Sequence, residues 1–218
     1  MQRFVSERGR LLDMGCWLSA KGCGALRAGR AQGVGVTLGC AVLLLAGAAR
    51  AGERICLEAE SAAKVEAPMQ VTEEAKAPAL PDGTKVKGAS GGKYLEVPQG
   101  KGNPPKVDKG RAELTFEVKK GGTFYLWGRA WWEDDCGNSF SISIDGAKAF
   151  SFGQDGTHKT WHWVKAPRRL KQLELEPGKH TLTIKNREDG ARLDQILLTT
   201  NKRYVPVDAE KPTVSKGD

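Results

Sequence analysis

The chain has 218 residues, with 34 Lys and Arg, 26 Asp and Glu, and a formal net charge of +8. The first 51 residues hold seven basic and two acidic side chains, which leaves 27 basic and 24 acidic residues spread along the remainder. Nucleic-acid binding needs clustered basic residues, so this distribution argues against a nucleic-acid partner. The part after residue 51 is long enough for one well-packed domain.

The N-terminal region is typical of a secretory leader. Basic residues precede an apolar run at 34–48, and Ala49-Arg50-Ala51 places small residues at the two positions that a signal peptidase reads. We therefore predict a cleaved signal peptide over 1–51, begun at Met1 or Met14, and a secreted, periplasmic or cell-surface protein. A membrane anchor is the alternative, but the run is short and interrupted by Gly, so no stable span is expected after leader removal. A lipid anchor on Cys40 is less favoured, because most of the apolar run follows that residue.

Helical periodicity is almost absent after residue 52, and short alternating segments are separated by Gly, Pro, Asp and Asn. This pattern predicts strands and tight turns. The predicted strands lie at 55–60, 69–72, 93–97, 112–118, 123–132, 140–144, 150–152, around 161–163, 170–175 and 182–184, and at 193–198. We expect an all-β fold in which two antiparallel sheets pack face to face as a jelly roll over 52–200. Residues 201–218 are predicted to be a polar tail.

The predicted strand at 123–132 is the longest, and it is aromatic on both faces. Phe124 and Trp132 fall on one face, while Tyr125, Trp127 and Trp131 fall on the other. At least one end of this strand is therefore expected to have a role besides core packing.

Two cysteines, Cys56 and Cys136, lie after the predicted leader. An even pair in an exported protein predicts a disulfide, and the alternative is two separately buried thiols. Such a disulfide would tie the first strand to the loop at 131–138.

Three carboxylates are candidates for one metal site. Glu58 and Glu60 project from one face of the first strand, and Asp194 lies inside the apolar last strand, where a carboxylate needs a cation or a hydrogen-bond network. Because the first and last strands of a sandwich often pair, the three could meet and form a hard-oxygen site suited to calcium. The alternative is that the two glutamates face water and Asp194 pairs with Arg192 or Arg187.

Catalysis is not expected. Paired carboxylates could serve a glycosidase, but nothing else in the sequence supports a cleft between an acid and a second carboxylate. The serines at 139–143 alternate with apolar residues, as on the wet face of a strand, and no Ser/His/Asp or Cys/His signature accompanies them.

A second set of residues suits a sugar ligand, whose ring stacks on an aromatic side chain while its hydroxyls bond to polar groups. The segment 131–138 combines both types at a strand end, and Trp161 lies beside another loop. The predicted sugar-binding residues are Trp131, Trp132, Asp135, Asn138, Trp161, Asp189 and Arg192. The alternative is that these tryptophans are core residues, which we favour for Trp127 and Trp163.

Several short motifs occur in an order that is similar to a known family. They are Leu57-Glu58-Ala59-Glu60, then 89–95, 122–129, 138–146, 161–163, 178–182 and 187–198. Together they resemble carbohydrate-binding modules of families 6 and 35, within the galactose-binding-like jelly rolls. The resemblance implies a structural calcium near the first and last strands, held by the equivalents of Glu58, Glu60 and Asp194. It also implies sugar recognition by loops at one end, although such modules often carry Asn at the position of Arg192.

These observations predict an exported, non-catalytic β-sandwich that binds a polysaccharide or other glycan and holds a structural calcium. The alternative is a structural or protein-interaction domain of the cell envelope, in which the loop at 131–138 packs against a partner protein and no sugar binds.

Overall fold

The structure is a computed structural model that describes residues 52–104, 109–167 and 173–213. The predicted leader lies outside these residues. Within them, none of the helical segments has the length and hydrophobicity needed to cross a bilayer.

The described residues form twelve strands and three single turns of 3-10 helix. The strands are β1 (Arg54–Glu58), β2 (Lys64–Glu66), β3 (Gln70–Glu73), β4 (Lys93–Glu96), β5 (Arg111–Val118), β6 (Gly122–Trp132), β7 (Ser139–Ile144), β8 (Phe150–Gly153), β9 (His162–Lys165), β10 (Leu173–Leu175), β11 (Gly178–Lys185) and β12 (Ala191–Thr199). The 3-10 turns are Ala59–Ser61, Glu74–Lys76 and Ser90–Gly92. The predicted strands correspond to β1 and β3–β12, although 59–60 belong to a 3-10 turn and 170–172 lie outside the described residues. β2 is a short strand that the pattern did not indicate.

The strands make two antiparallel sheets, as predicted. In sheet A, β6 and β12 are central neighbours. On one side, β9 and β10 both pair with β6. On the other side, β12 pairs with β4 and then with β1, and β3 pairs with β4. Sheet B has the order β2-β5-β11-β7-β8. The first strand pairs with the last, with Glu58 opposite Gln195, as expected.

One apolar core lies between the sheets, because alternate residues of each strand point inward. On β6 the inward residues are Phe124, Leu126, Ala130 and Trp132. At Gly128 there is no room for a side chain, since a Cβ would lie 2.6 Å from Cζ of Phe152. The inward face of the long strand is therefore ordinary sandwich core.

The outer face of sheet A is also covered, which explains the second aromatic face of β6. Trp127 packs with Cys56 and Leu197 in one small cluster, which Trp163 and Tyr204 border. A second cluster of Val86, Tyr94 and Trp131 is bordered by Leu80, Ala89 and Trp161. The covering residues come from the connection between β3 and β4 and from the segment after β12. The candidate functional groups lie on this outer face.

Candidate functional site

A β-bulge in β12 places two polar side chains next to each other. Leu193 pairs with Ala130 and Gln195 pairs with Arg129, so Asp194 is an extra residue in the ladder. Leu193 and Ile196 both lie in the core although they are three residues apart. Asp194 and Gln195 consequently both face the outer side of sheet A, as the extra residue of a bulge allows.

The bulge brings Asp194 to the two glutamates near the chain start. One carboxylate oxygen from each of Glu58, Glu60 and Asp194 lies within 4.8 Å of the others. Glu58 is the last residue of β1 and Glu60 lies in the 3-10 turn that follows, so the turn brings both side chains to the same side. The structure thus brings together the three residues predicted as metal ligands.

Hydrogen bonds fix two of these carboxylates. Asp194, which has no exposed surface, accepts a bond at Oδ1 from the Ser90 backbone N–H (2.8 Å) and forms a salt bridge at Oδ2 with Arg129. Oε1 of Glu58 accepts bonds from Oγ of Ser90 (2.7 Å) and Nε2 of Gln195 (3.0 Å). The other oxygen of Glu58, Oε2, is buried and accepts no hydrogen bond. A buried lone pair without a donor is costly, so this oxygen suits a cation.

The charges of this cluster also favour a bound cation. Three carboxylates meet, and Arg129 supplies one positive charge to Asp194. Burial raises the pKa of Asp194 to about 7, even though Arg129 and the Ser90 N–H lower it, and the charge of Glu58 raises it further. A hard divalent cation would lower the repulsion among these carboxylates, and carboxylate oxygens are the ligands that calcium prefers. The donor set therefore fits calcium.

A different ionic group lies two residues away on the same strand. Nε of Arg192 is 3.1 Å from Oε2 of Glu96, and Nη2 is 3.1 Å from Oε2 of Glu133. The guanidinium also donates to the Gly190 carbonyl (3.0 Å) and lies 4.7 Å from the centre of the Trp131 ring. The alternative pairing of Asp194 with Arg192 or Arg187 is thus not what the structure shows, since Arg192 pairs with Glu96 and Glu133.

The indoles of Trp131 and Trp132 are buried, which corrects the prediction that they stack on a sugar. Trp132 has no exposed surface and lies in the main core, where its Nε1 donates to Asp155 (3.1 Å). Trp131 is 2% exposed and lies under the covering segments of sheet A. The physical reason is that the alternation of β6 continues to the end of an interior strand, so each of its two faces buries one of these rings.

The other predicted sugar-binding residues have separate environments. Trp161 keeps partial exposure and packs against Tyr94, with ring centres 5.8 Å apart. Asp135 is exposed and faces His158 at 3.2 Å. Asn138 is buried, and Asp189 accepts a bond from the Gly102 N–H (2.9 Å). Of the three predicted stacking tryptophans, Trp161 is the one that retains exposed surface.

The predicted disulfide is wrong, because Cys56 and Cys136 are free thiols. Cys56 lies opposite Leu197, which lies opposite Trp127, whereas Cys136 follows the end of β6 at Trp132. At roughly 3.3 Å per residue, the five residues from Trp127 to Trp132 already exceed the Cα separation of a disulfide. Cys56 is buried and Cys136 is exposed, and burial raises the pKa of the Cys56 thiol to about 12.

The described part of the predicted polar tail, 201–213, forms hydrogen bonds with sheet A, and 214–218 lie outside the described residues. The Glu210 N–H donates to Oε1 of Gln195 (2.9 Å), and the Thr213 N–H donates to the Cys56 carbonyl (3.0 Å). Nε1 of Trp163 donates to the Asp208 carbonyl (2.9 Å). Most of these contacts use backbone atoms of the segment, so its side-chain sequence gave no signal of them.

A cleft of about 660 Å³ opens on the outer side of sheet A, beside the Arg192 group. Its polar lining includes Gln70, Thr72, Glu96, Gln99 and Arg192, and its apolar lining includes Pro78, Leu80, Pro81, Val86 and Tyr94. Oε1 of Glu96 accepts bonds from Thr72 Oγ1 (2.5 Å) and Gln70 Nε2 (3.2 Å). Sequence reasoning missed Gln70, Thr72 and Glu96. The alternation of Gln70 and Thr72 on an edge strand was the signal that could have indicated them.

The chain is similar to known proteins in its fold. No family model matches the chain, and no curated protein matches it. Among solved structures, a GH26-CBM35 β-(1,4)-mannanase from Podospora anserina is similar over 71% of this chain and 29% of its own, at 16% identity and a TM-score of 0.50. The fold is that of a carbohydrate-binding-module-like β-sandwich. This confirms the predicted fold class and the family resemblance at the level of fold.

Two isolated modules are also similar. A family 35 carbohydrate binding module from Clostridium thermocellum matches 67% of this chain and 97% of its own, with 15% identity and a TM-score of 0.47. The C-terminal CBM6 of a laminarinase from Zobellia galactanivorans matches 68% of this chain and 100% of its own, with 14% identity and a TM-score of 0.44. This chain therefore spans nearly the whole of these modules but less than a third of the mannanase.

Proposed function

We propose that this protein is an exported, non-catalytic module that binds a glycan in the cleft beside Arg192 and holds a structural calcium at Glu58, Glu60 and Asp194. The cleft is the observation that carries the glycan-binding proposal. Its volume, about 660 Å³, suits a short saccharide, since small-molecule sites lie between about 300 and 1,000 Å³.

The lining of the cleft suits a molecule that has hydroxyls and apolar ring faces. Gln70 and Thr72 donate hydrogen bonds to Glu96, which also forms a salt bridge with Arg192, so these polar groups are held in place before a ligand arrives. Pro78 and Leu80 supply apolar surface to the lining. Specificity for a sugar commonly comes from a few fixed polar groups in an otherwise apolar pocket.

The calcium would act on stability. It would be held by Glu58, Glu60 and Asp194, and it would supply positive charge where three carboxylates meet. Because Glu58 belongs to β1 and Asp194 to β12, the cation would link the first strand to the last.

The absence of catalysis is part of the proposal. A glycosidase needs a carboxylic acid with a raised pKa at an open cleft. The pKa of Glu73, which lines the cleft, is instead lowered by its hydrogen bond from Lys76. Asp194 has a raised pKa, but it has no exposed surface with which to reach a glycosidic oxygen.

A glycan array with the full chain tests the glycan-binding proposal. We expect retention of at least one polysaccharide or oligosaccharide, without its hydrolysis. Thr72→Val should then weaken binding by about tenfold, the effect of one lost hydrogen bond of about 1–1.5 kcal/mol. Thr115→Val, at an exposed position of β5 in sheet B, is the matched control and should bind like the wild type.

Three results would overturn this proposal. A blank array would favour the structural or protein-interaction domain of the cell envelope. Released sugar would indicate an enzyme. Equal binding by Thr72→Val and wild type would place the ligand outside the cleft.

A further inference from the structure

Residues 204–213, here called the strap, lie across the outer face of sheet A. The strap is held by the bonds from Trp163 to Asp208 and from Thr213 to Cys56. Beneath it, Cys56 has no exposed surface and packs with Trp127 and Leu197. The strap therefore covers residues that belong to neither the main core nor the cleft.

One buried amide joins the strap to the carboxylate cluster. Nε2 of Gln195 donates to the Glu210 carbonyl (2.8 Å), and Oε1 of Gln195 accepts from the Glu210 N–H (2.9 Å). The same Nε2 lies 3.0 Å from Oε1 of Glu58 and 3.2 Å from Oγ of Ser90. Gln195 has no exposed surface. Since an amide is planar, fixing one end of Gln195 fixes both of its bonds to the strap.

We propose that cation binding at Glu58, Glu60 and Asp194 holds the strap on sheet A, and that Gln195 is the positioning residue that couples the two. This inference rests on the calcium site of the proposed function. With a cation bound, Glu58 stays in place and orients the amide. Without it, the like-charged carboxylates repel one another, and Glu58, which is only half-buried, can turn toward solvent. The amide then loses its bond to Glu58, one of the contacts that orient it. Both bonds to Glu210 then weaken, and the strap opens over Cys56.

Thiol alkylation measures this opening. The full chain is treated with a maleimide in Ca²⁺ or in chelator, and modification of Cys56 and Cys136 is followed separately by peptide mass spectrometry. Cys136 is exposed and serves as the internal control, with the same rate in both conditions. Modification of Cys56 should be faster in chelator, by up to about 100-fold relative to a Ca²⁺ concentration of 100 Kd.

The variant Gln195→Met keeps the length of the side chain but removes the amide. Its Cys56 should react rapidly in both conditions, while calorimetric titration still shows Ca²⁺ binding. Asp208→Ala is the matched control, because Asp208 contacts Trp163 through its backbone carbonyl, and it should behave like the wild type. If circular dichroism shows that Gln195→Met does not fold, Thr213→Val loosens the strap at its other end and should also expose Cys56 in both conditions.

The outcomes separate the two proposals. Measured Ca²⁺ binding with an unchanged Cys56 rate overturns the coupling and leaves the calcium site standing. Calcium-dependent protection of Cys56 that persists in Gln195→Met overturns the role of Gln195. A calorimetric titration without Ca²⁺ binding overturns the calcium site and this inference together.

Discussion

Two buried ionic groups, one around Arg192 and one around Asp194, lie two residues apart on β12. Their buried charges have different partners. Around Arg192, a single guanidinium contacts two carboxylates, both at 3.1 Å, and a carbonyl and an indole complete its surroundings. Around Asp194, three carboxylates meet, and Asp194 itself contacts a guanidinium. In the Arg192 group a cation lies between two carboxylates, whereas in the Asp194 group three carboxylates meet and Oε2 of Glu58 is buried without a hydrogen bond.

This difference indicates which of the two groups depends on a bound cation. Buried ions are tolerated when each is paired and hydrogen-bonded. Glu133 meets that condition through Arg192. Glu96 forms a salt bridge with Arg192 and accepts its hydrogen bonds from Thr72 and Gln70. Glu58, in contrast, keeps a buried oxygen that accepts no hydrogen bond. We therefore expect the Arg192 group to respond to mutation but not to chelation, and the Asp194 group to respond to both.

The largest effect is expected for Arg192→Met. This change leaves Glu96 and Glu133 buried without their cation, and breaking a buried ion pair in this way costs about 3–5 kcal/mol of the free energy of unfolding. Urea denaturation measures the loss. Arg111→Met is the matched control, because Arg111 also contacts two carboxylates, Glu66 at 3.0 Å and Glu113 at 3.5 Å, but is 39% exposed. Its loss should be at most about 1 kcal/mol. Similar losses in the two variants would show that the burial of the Arg192 group has no energetic consequence.

Chelation is expected to have the next largest effect. At a Ca²⁺ concentration of 100 Kd, a ligand of the folded state stabilises it by about 2.7 kcal/mol, so removing Ca²⁺ should lower the Tm by several degrees. Asp194→Asn should lose this sensitivity, because it removes the buried carboxylate of the cluster. Glu117→Gln, which removes a charge from an exposed position of sheet B, should keep it. A wild-type Tm that is the same in Ca²⁺ and in chelator would contradict the difference between the two ionic groups.

The sequence predicted the sandwich because strand alternation is a local property. It also predicted that Glu58, Glu60 and Asp194 would meet, since the position of the first strand beside the last follows from the fold class. The bulge was not predictable from local pattern alone: Leu193 and Ile196 both reach the core only because β12 carries one extra residue against β6.

Other features of the structure depend on strand register and on backbone hydrogen bonds, and the amino-acid composition does not reveal either. The separation of Cys56 from Cys136 follows from which residues lie opposite one another on three strands, so cysteine count alone predicted the disulfide wrongly. The burial of Trp131 depends on covering segments that are remote in sequence, including Val86. The strap binds largely through its backbone, as at Glu210 and Asp208, so the polar composition of 201–218 gave no sign of these bonds.

The smallest effect is expected at a third ionic pair, formed by His180 and Asp145. This pair is partly exposed, so it tests whether burial sets the loss of stability expected at the Arg192 and Asp194 groups. Nδ1 of His180 lies 2.6 Å from Oδ2 of Asp145. Burial of the ring opposes its protonation, but the hydrogen bond to Asp145 outweighs this and raises the pKa of His180 above 6.5. Burial likewise opposes ionisation of Asp145, but its bond from His180 lowers the pKa of that carboxyl below 3.8.

The sign of the pH dependence at this pair follows from these two directions. A raised His180 pKa stabilises the fold at pH values below 6.5, and this contribution is lost as the pH rises through the raised value. A lowered Asp145 pKa stabilises the fold above 3.8, and that contribution is lost as the pH falls through the lowered value. Because Asp145 is 47% exposed, His180→Gln should cost less than about 1 kcal/mol near pH 5.5 and nothing measurable well above neutral pH. Thermal unfolding of wild type and variant at both pH values measures this. A loss that is as large as that of Arg192→Met, or one that persists at high pH, would show that exposure does not separate this pair from the buried ones.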